Sequence, residues 1–485
     1  MSESAFPLDL SGVVPSRVGV GESFALKVKV LGETQVVPPT NFPFRVEPWL
    51  HGPFNLAAAR ELTFLDNCLP AWRGVLHVDG GPALQGPARL VLDGLRQGTF
   101  PGDTRPIATF DGFSWNTPGF HFLRLIEPES GLERWLNPMY VTPEAPTERI
   151  FWGDPHWQTF FSDGVRCPEE LYAFARDEGF LDFGAISDHM EALSDRQWEY
   201  FMAVTNDFNQ EGRFVTLIGQ EWTKSPPGHR NVYVPGDYAP ILRSSDARCD
   251  SLPKLWKCLE GREALVIPHH SANQQIGVDW SHGWNPEFER AVEIYSVWGN
   301  SETSAEKGNL RPIRFMGGEA PGQHVLDALA AGYRFGFVAG GDIHDGRPGH
   351  CLAHLQSHAK DDRWPQGLTA AYAPRLTRAN VYGAMRDHRT YATTLSRIYL
   401  DTELAPVPRP RLMIRAASEN GISEVAVIRN GERTANLSPE GDTRIVTTEY
   451  ALGDMAPEEY CYLRVTTTTG EMGWSSPFWG DEVQE

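Results

Sequence analysis

Apolar and polar residues alternate along Ser23–Val30 (SFALKVKV), with the period of two expected of a half-buried strand. Further short apolar runs, in GFSWNTPGFHFLRLIE and LNPMYVTPE, are bounded by Gly, Pro and Asn. Turn signals at Asp79-Gly80-Gly81, Gly98–Asp103 and Asn116–Gly119 punctuate them. Residues 1–147 therefore read as a β-rich, sandwich-like module. His51, His77 and His121 stand isolated within it, and no chemistry is assigned to them.

The pattern changes between 148 and 404. Strand-like runs at Arg149–Trp152, Phe183–Ile186, Arg213–Gly219, His229–Val234, Ala264–Pro268, Ala291–Val297 and Gly336–Ala339 alternate with helical stretches. The helices are predicted at Pro168–Glu178, Asp195–Asn209, His324–Ala331 and Thr377–His388, the first opening on a proline whose missing N–H costs nothing there. Repeated β–α units predict a parallel sheet or barrel. From 405 to 485 the chain reverts to β character in RPRLMIRAA, SEVAVIRNGE and YCYLRVTTTT, with Asn430-Gly431 as a hairpin signal. That segment reads as a small antiparallel sandwich, joined by the proline-rich linker Ala405–Pro410.

Five of the central strands end in side chains that bind metals: His156 with Gln158 and Asp163; Asp188 with His189; Glu221; His269 with His270; and Asp342 with His344. In a barrel such ends meet on one face. On an extended strand residues two apart point the same way, so the HxQ and DxH spacings aim both members at one site. Any one of these motifs could simply cap a turn; five in succession point to a metal site. Histidine and carboxylate without thiolate suits Zn, Mn or Fe, and Glu221 could bridge two ions.

Composition narrows the partners. The 485 residues are 41% hydrophobic and 22% charged, which suits a globular chain of two or three domains. A net charge of −20 without a basic cluster argues against duplex nucleic acid and for a small substrate. No apolar run approaches the ~20 residues of a membrane helix. The N-terminus has no basic start followed by an apolar core, so the expected location is the cytoplasm. Cys68, Cys167, Cys249, Cys258, Cys351 and Cys461 lack metal or disulfide spacing and read as reduced.

The ordered motifs GDPHWQTFFSDG, SDH, GQEW, PHH and GGDIHDG resemble the polymerase and histidinol phosphatase (PHP) superfamily. With PEELYAFARDEGFLDFGAISDH, GHRNVYV and DHRTYATTLSRIYL, the chain is similar to the DUF3604 branch over residues 148 to 400. The resemblance implies a distorted (β/α)7 barrel, flanked here by the two β-rich modules, holding two or three divalent ions that hydrolyse phosphoesters. One ion would be held by His156, Glu221 and Asp342, with Gln158 beside it. A second would use Glu221 and His269, with His229 or His270 nearby. A third would use Asp163, His189 and His344. Asp188 and Asp154 would orient ligands from behind. Gln158 stands where the superfamily often has a histidine, and an amide oxygen is the poorer ligand.

The function expected is a metal-dependent phosphoesterase acting through metal-activated water, with Glu221, Asp188, Arg230 and Arg347 as catalytic candidates. The arginines are singled out because they neighbour His229 and His344 and because guanidinium matches phosphate geometry. Trp157, Trp222, Trp280, Trp284 and Trp298 lie near the motifs and could wall a pocket for an apolar leaving group or simply fill the interior. The alternatives are hydrolysis of a C–N or lactone bond and a non-catalytic binding protein on the same scaffold.

Overall fold

The computed structural model describes residues 9–37, 64–68, 72–94, 96–97, 104–164, 166–344, 346–349, 364–405 and 410–484. His51, Cys351, the turn at 98–103 and the linker core at 406–409 lie outside them. No helix among the described residues is long and apolar enough to cross a membrane.

Two larger sheets dominate the N-terminal segment, alongside two smaller ones among the described residues. Asp9–Val13, Phe24–Val37, Ile107–Trp115 and Leu84–Gln85 form one in that order, with Phe64–Cys68 beside Phe24–Val37. Leu132–Trp135, Arg124–Glu127, Gly74–Asp79 and Arg89–Leu92 form the other. Phe24, Leu26, Val28 and Val30 turn inward and share one core with Leu76, Leu90 and Leu125 of the facing sheet. The alternation in SFALKVKV is thus the inner face of a packed pair of sheets.

The central strands do not form the expected (β/α)7 barrel. Among the described residues strand exceeds helix, 40% against 15%, and there are only six helices. The strands divide over three sheets. Arg149–Trp157 runs parallel to Phe183–Ile186, which runs parallel to Val215–Thr216. On its other edge Arg149–Trp157 is antiparallel to Leu368–Ala373. Ile218–Trp222, Arg230–Val234 and Leu265–Pro268 form an antiparallel meander. Ala291–Ser296 pairs with Gly336–Ala339 in a third sheet.

Connection length explains the correction. A parallel crossover needs a dozen or more residues, usually a helix. Residues 223–229 are too few, and Pro226 and Pro227 lack the N–H groups a helix would use. The chain therefore turns back on itself. Between Leu265–Pro268 and Ala291–Ser296 the regular helix is limited to the single 3-10 turn Trp280–His282.

Two helices follow their sequence signals closely. Pro168–Asp177 carries proline in its first turn and buries Leu171, Tyr172, Phe174 and Ala175. Asp195–Phe208 starts from a capping box in which Ser194 and Gln197 satisfy each other's backbone N–H groups. The first sheet also continues past residue 404: Leu368–Ala373, Thr390–Thr393, Met472–Ser475, Tyr460–Thr467, Ile422–Arg429 and Glu432–Leu437 are consecutive neighbours. Asn430 and Gly431, both at positive φ, make the hairpin turn between the last two.

Candidate metal centre

Although the strands belong to different sheets, their ends are tied together. A parallel bridge joins His189 to Glu221 and another joins Trp157 to Ile343. The Gln158 N–H donates to the Ile343 carbonyl at 3.0 Å, and the Glu221 N–H to that of Asp188 at 3.0 Å. These links set GDPHWQ beside GGDIH and SDH beside GQEW.

Asp188 shapes the turn that delivers Asp163. One of its oxygens takes the Thr159 N–H at 2.8 Å and the other the Thr159 hydroxyl at 2.7 Å, and Ser162 donates to it as well. Burial pushes the Asp188 carboxyl up to about 6, with those hydrogen bonds opposing the shift. Both oxygens are engaged in holding the loop. Gly164 closes the turn for spatial reasons: a Cβ there would lie 2.2 Å from the Gln158 carbonyl oxygen.

Glu221 sits at the middle of the cluster, 1% exposed. Its Oε1 lies 2.8 Å from His229 Nδ1, 3.2 Å from His189 Nδ1 and 3.4 Å from His269 Nε2. Its Oε2 accepts from Gln158 Nε2 at 2.9 Å and lies 3.6 Å from His156 Nε2. His156 Nε2 is also 3.4 Å from Asp342 Oδ1, and His344 Nε2 is 3.1 Å from Asp163 Oδ2. Four overlapping groups result, each with its ligand atoms within 4.8 Å of one another: His156, His269, Asp342; His189, Glu221, His229; His229, His269, His270; and Asp163, His189, His344. These clusters could hold metal ions.

The donor set fits that reading. His156 Nε2 and both ring nitrogens of His269 are buried without a hydrogen-bond partner. Two ligands each ~2 Å from one tetrahedral ion stand about 3.3 Å apart, close to the separations between His156, His269 and their carboxylates. Burial opposes charge throughout, yet His189 and His269 hold Glu221 well below the usual carboxylate range. Burial likewise opposes charge on His156, but Asp342 and Glu293 raise it well above an ordinary histidine. Burial and the neighbouring His269 and His229 push His270 well below. Buried carboxylates that demand positive charge, set among imidazoles that cannot all carry it, are an environment a divalent cation satisfies.

Two ligand candidates sit in unusual backbone. His270 has φ 34° and Asp342 φ 47°, left-handed values uncommon for residues other than glycine. Such positions cluster at functional sites, where surrounding contacts hold them. For Asp342, one contact is the Trp298 indole N–H, which donates to its Oδ2.

Several expectations change. Gln158 turns its amide nitrogen to Glu221, while its oxygen lies 3.2 Å from the Ser162 hydroxyl oxygen. Arg230 is not brought to the cluster: its guanidinium bonds Glu289 at 3.2 Å and the carbonyls of Pro227 and Gly228. Arg347 is buried, and its carbonyl accepts from Gln366. Asp154 binds the backbone N–H groups of Gly341 and His156, and burial pushes it up to about 8. Of the five tryptophans, Trp298 touches a ligand candidate. Trp157 packs on Tyr172, Trp222 donates to the Cys249 carbonyl, Trp280 to that of His324 and Trp284 to that of Glu289. The sequence reading missed Glu293, which meets His156 Nδ1 at 2.9 Å. Its one signal is a lone charge inside the apolar strand AVEIYS.

Residues 167–307 match the family described as "Protein of unknown function (DUF3604)". An uncharacterised protein of Chlamydia pneumoniae is 32% identical over 396 residues, which is 76% of this chain and 63% of that protein. Uncharacterised proteins of Chlamydia muridarum and Chlamydia trachomatis are each 30% identical over 404 residues, with the same coverage. The chain thus spans less than two thirds of the length of these relatives. A solved two-domain protein of Bacteroides vulgatus, described as containing a predicted PHP-like metal-dependent phosphoesterase, aligns over 68% of this chain and 96% of that chain. It is 12% identical with a TM-score of 0.33, too low to define a shared fold.

Proposed function

We propose that this protein is a metal-dependent hydrolase that cleaves phosphoesters of small organic molecules. The observation that carries the reading is the buried convergence of imidazole and carboxylate ligands on Glu221 from separate strand ends. The likeness of its ordered motifs to the PHP superfamily supports phosphoester chemistry over other hydrolysis. Bound divalent ions would supply Lewis acidity and a water of lowered pKa.

The chain's own residues do the positioning. His156, His269 and Asp342 would hold one ion, and Asp163, His189 and His344 another. Glu221 lies between these groups and would be shared. Gln158, through its N–H···Oε2 bond, fixes the Glu221 carboxylate plane. Arg230 is committed to Glu289 and takes no part in binding substrate. Neutralising a phosphoryl group would then fall to divalent ions held by the ligand residues and not to that arginine.

The test pairs metal analysis with parallel assays on aryl phosphodiesters, phosphomonoesters, amides and lactones. Metal-replete protein should hydrolyse a phosphoester, and Glu221→Ala should lose bound metal and at least about 100-fold in rate, about 2.7 kcal/mol in the barrier. Unchanged metal content and rate in that variant would sink the reading, as would exclusive activity on amides or lactones.

A further inference from the structure

His156 is gripped on both edges of its ring. Nε2 faces Asp342 and Glu221, at 3.4 and 3.6 Å, and has no hydrogen-bond partner. Nδ1, on the opposite edge, lies 2.9 Å from Glu293 Oε2. Both side chains are buried, 0% and 2% exposed, so water does not compete for this contact. A carboxylate oxygen at 2.9 Å offers an Nδ1–H an acceptor, so the geometry favours hydrogen on Nδ1. In a neutral ring Nε2 is then the lone-pair nitrogen, and it is the one aimed at the cluster.

We propose that Glu293 is a positioning residue for the metal centre: it fixes the tautomer and orientation of His156 that present Nε2 to a divalent ion. The inference rests on the metal-dependent reading above. Histidine ligands generally donate their second N–H to such a partner, which also makes the ligating nitrogen more basic.

The adjoining GGD motif is built to admit this carboxylate. A Cβ on Gly340 would stand 2.4 Å from Glu293 Oε2 and 2.7 Å from the His156 Cβ. Gly340 is not among the glycines with positive φ, so what it provides there is space. Next to it, a Cβ on Gly341 would stand 2.5 Å from Asp154 Oδ2, while its N–H binds Asp154 Oδ1 at 2.7 Å. Asp154 also accepts the His156 N–H at 3.1 Å. Two carboxylates therefore hold His156 from behind, Asp154 by its backbone and Glu293 by its ring, in room left by two absent side chains.

Gly340→Ala alters no polar group, yet its Cβ should displace Glu293 and crowd His156, so it should weaken the site as loss of Glu293 does. Affinity for Zn2+ and Mn2+ would be measured by competition with a chromophoric chelator on the 485-residue protein, with circular dichroism reporting the fold. Glu293→Ala and Gly340→Ala should each weaken binding by about 10–100-fold. Glu293→Gln should recover part of the loss, because its amide oxygen still accepts from Nδ1–H. Folded Ala variants with wild-type affinity, or a Glu293→Gln variant no better than Glu293→Ala, would overturn the proposal. Absence of tight metal in the wild type would overturn the metal-centre reading together with it, whereas tight metal retained in both Ala variants would overturn this inference alone.

Discussion

Arg230 and His229 are neighbours in sequence with opposite fates. On an extended chain successive side chains point to opposite faces. His229 reaches Glu221 at 2.8 Å, so Arg230 must turn away, and it meets Glu289 at 3.2 Å in a fully buried pair. Proximity in sequence suggested a phosphate ligand; the alternation argues for a structural ion pair. Removing one partner of such a pair leaves an uncompensated buried charge, at a cost of about 3–5 kcal/mol. Arg230→Met should therefore lower the melting temperature sharply, and adding Glu289→Leu should restore much of it. A loss of substrate affinity at unchanged stability would contradict this assignment. The ligand candidates themselves were legible residue by residue, because ligand chemistry follows from side-chain type and from the i, i+2 spacing. Glu293 was not, because a single acid in an apolar strand does not announce which of many histidines it meets.

At the scale of elements, the loop from Thr159 to Gly164 and the helix Asp195–Phe208 test different things. In the loop, a Cβ at Gly164 would meet the Gln158 carbonyl at 2.2 Å, a backbone contact that cannot swing aside. Gly164→Ala should cost about 1–3 kcal/mol by overpacking and, by moving Asp163 from His344, reduce metal content. Ser194→Ala removes a helix cap that contacts Gln197 and should cost about 1 kcal/mol with metal content unchanged. Thermal melts and elemental analysis of both variants check the contrast. The helices were legible because proline at a first turn and the helical spacing of apolar residues are local signals. The barrel expectation failed at this same scale: strands were recognised, but seven residues with two prolines between Trp222 and Arg230 allow only a return, so the pairing became antiparallel.

For the molecule as a whole, the long sheet that carries Arg149–Trp157 also carries Met472–Ser475, so the centre and the C-terminal segment stand on one framework. His388 lies at their seam, its ring 5.5 Å from that of Trp479 and its Cα 3.0 Å from where a Gly336 Cβ would be. Burial, helped by Arg290, lowers its pKa from 6.5 to about 4. The folded protein thus binds this proton more weakly than the unfolded chain does. The contribution is intact above pH 6.5 and is lost as pH falls towards 4, by up to about 3 kcal/mol at 1.36 kcal/mol per unit. His388→Asn keeps a residue tolerant of φ 58° and removes the titration. Melts across pH 4–7 should show the variant losing less stability on acidification than the wild type, and parallel curves would refute the linkage. By itself the sequence determined the strand and helix periodicities, the caps, the turns and the ligand side chains at strand ends, all of which depend on residues a few positions apart. Tertiary structure decided which strands pair, that Arg230 faces Glu289, and that Glu293 stands behind His156 across 137 positions. Those outcomes rest on contacts between distant segments, which no local pattern encodes.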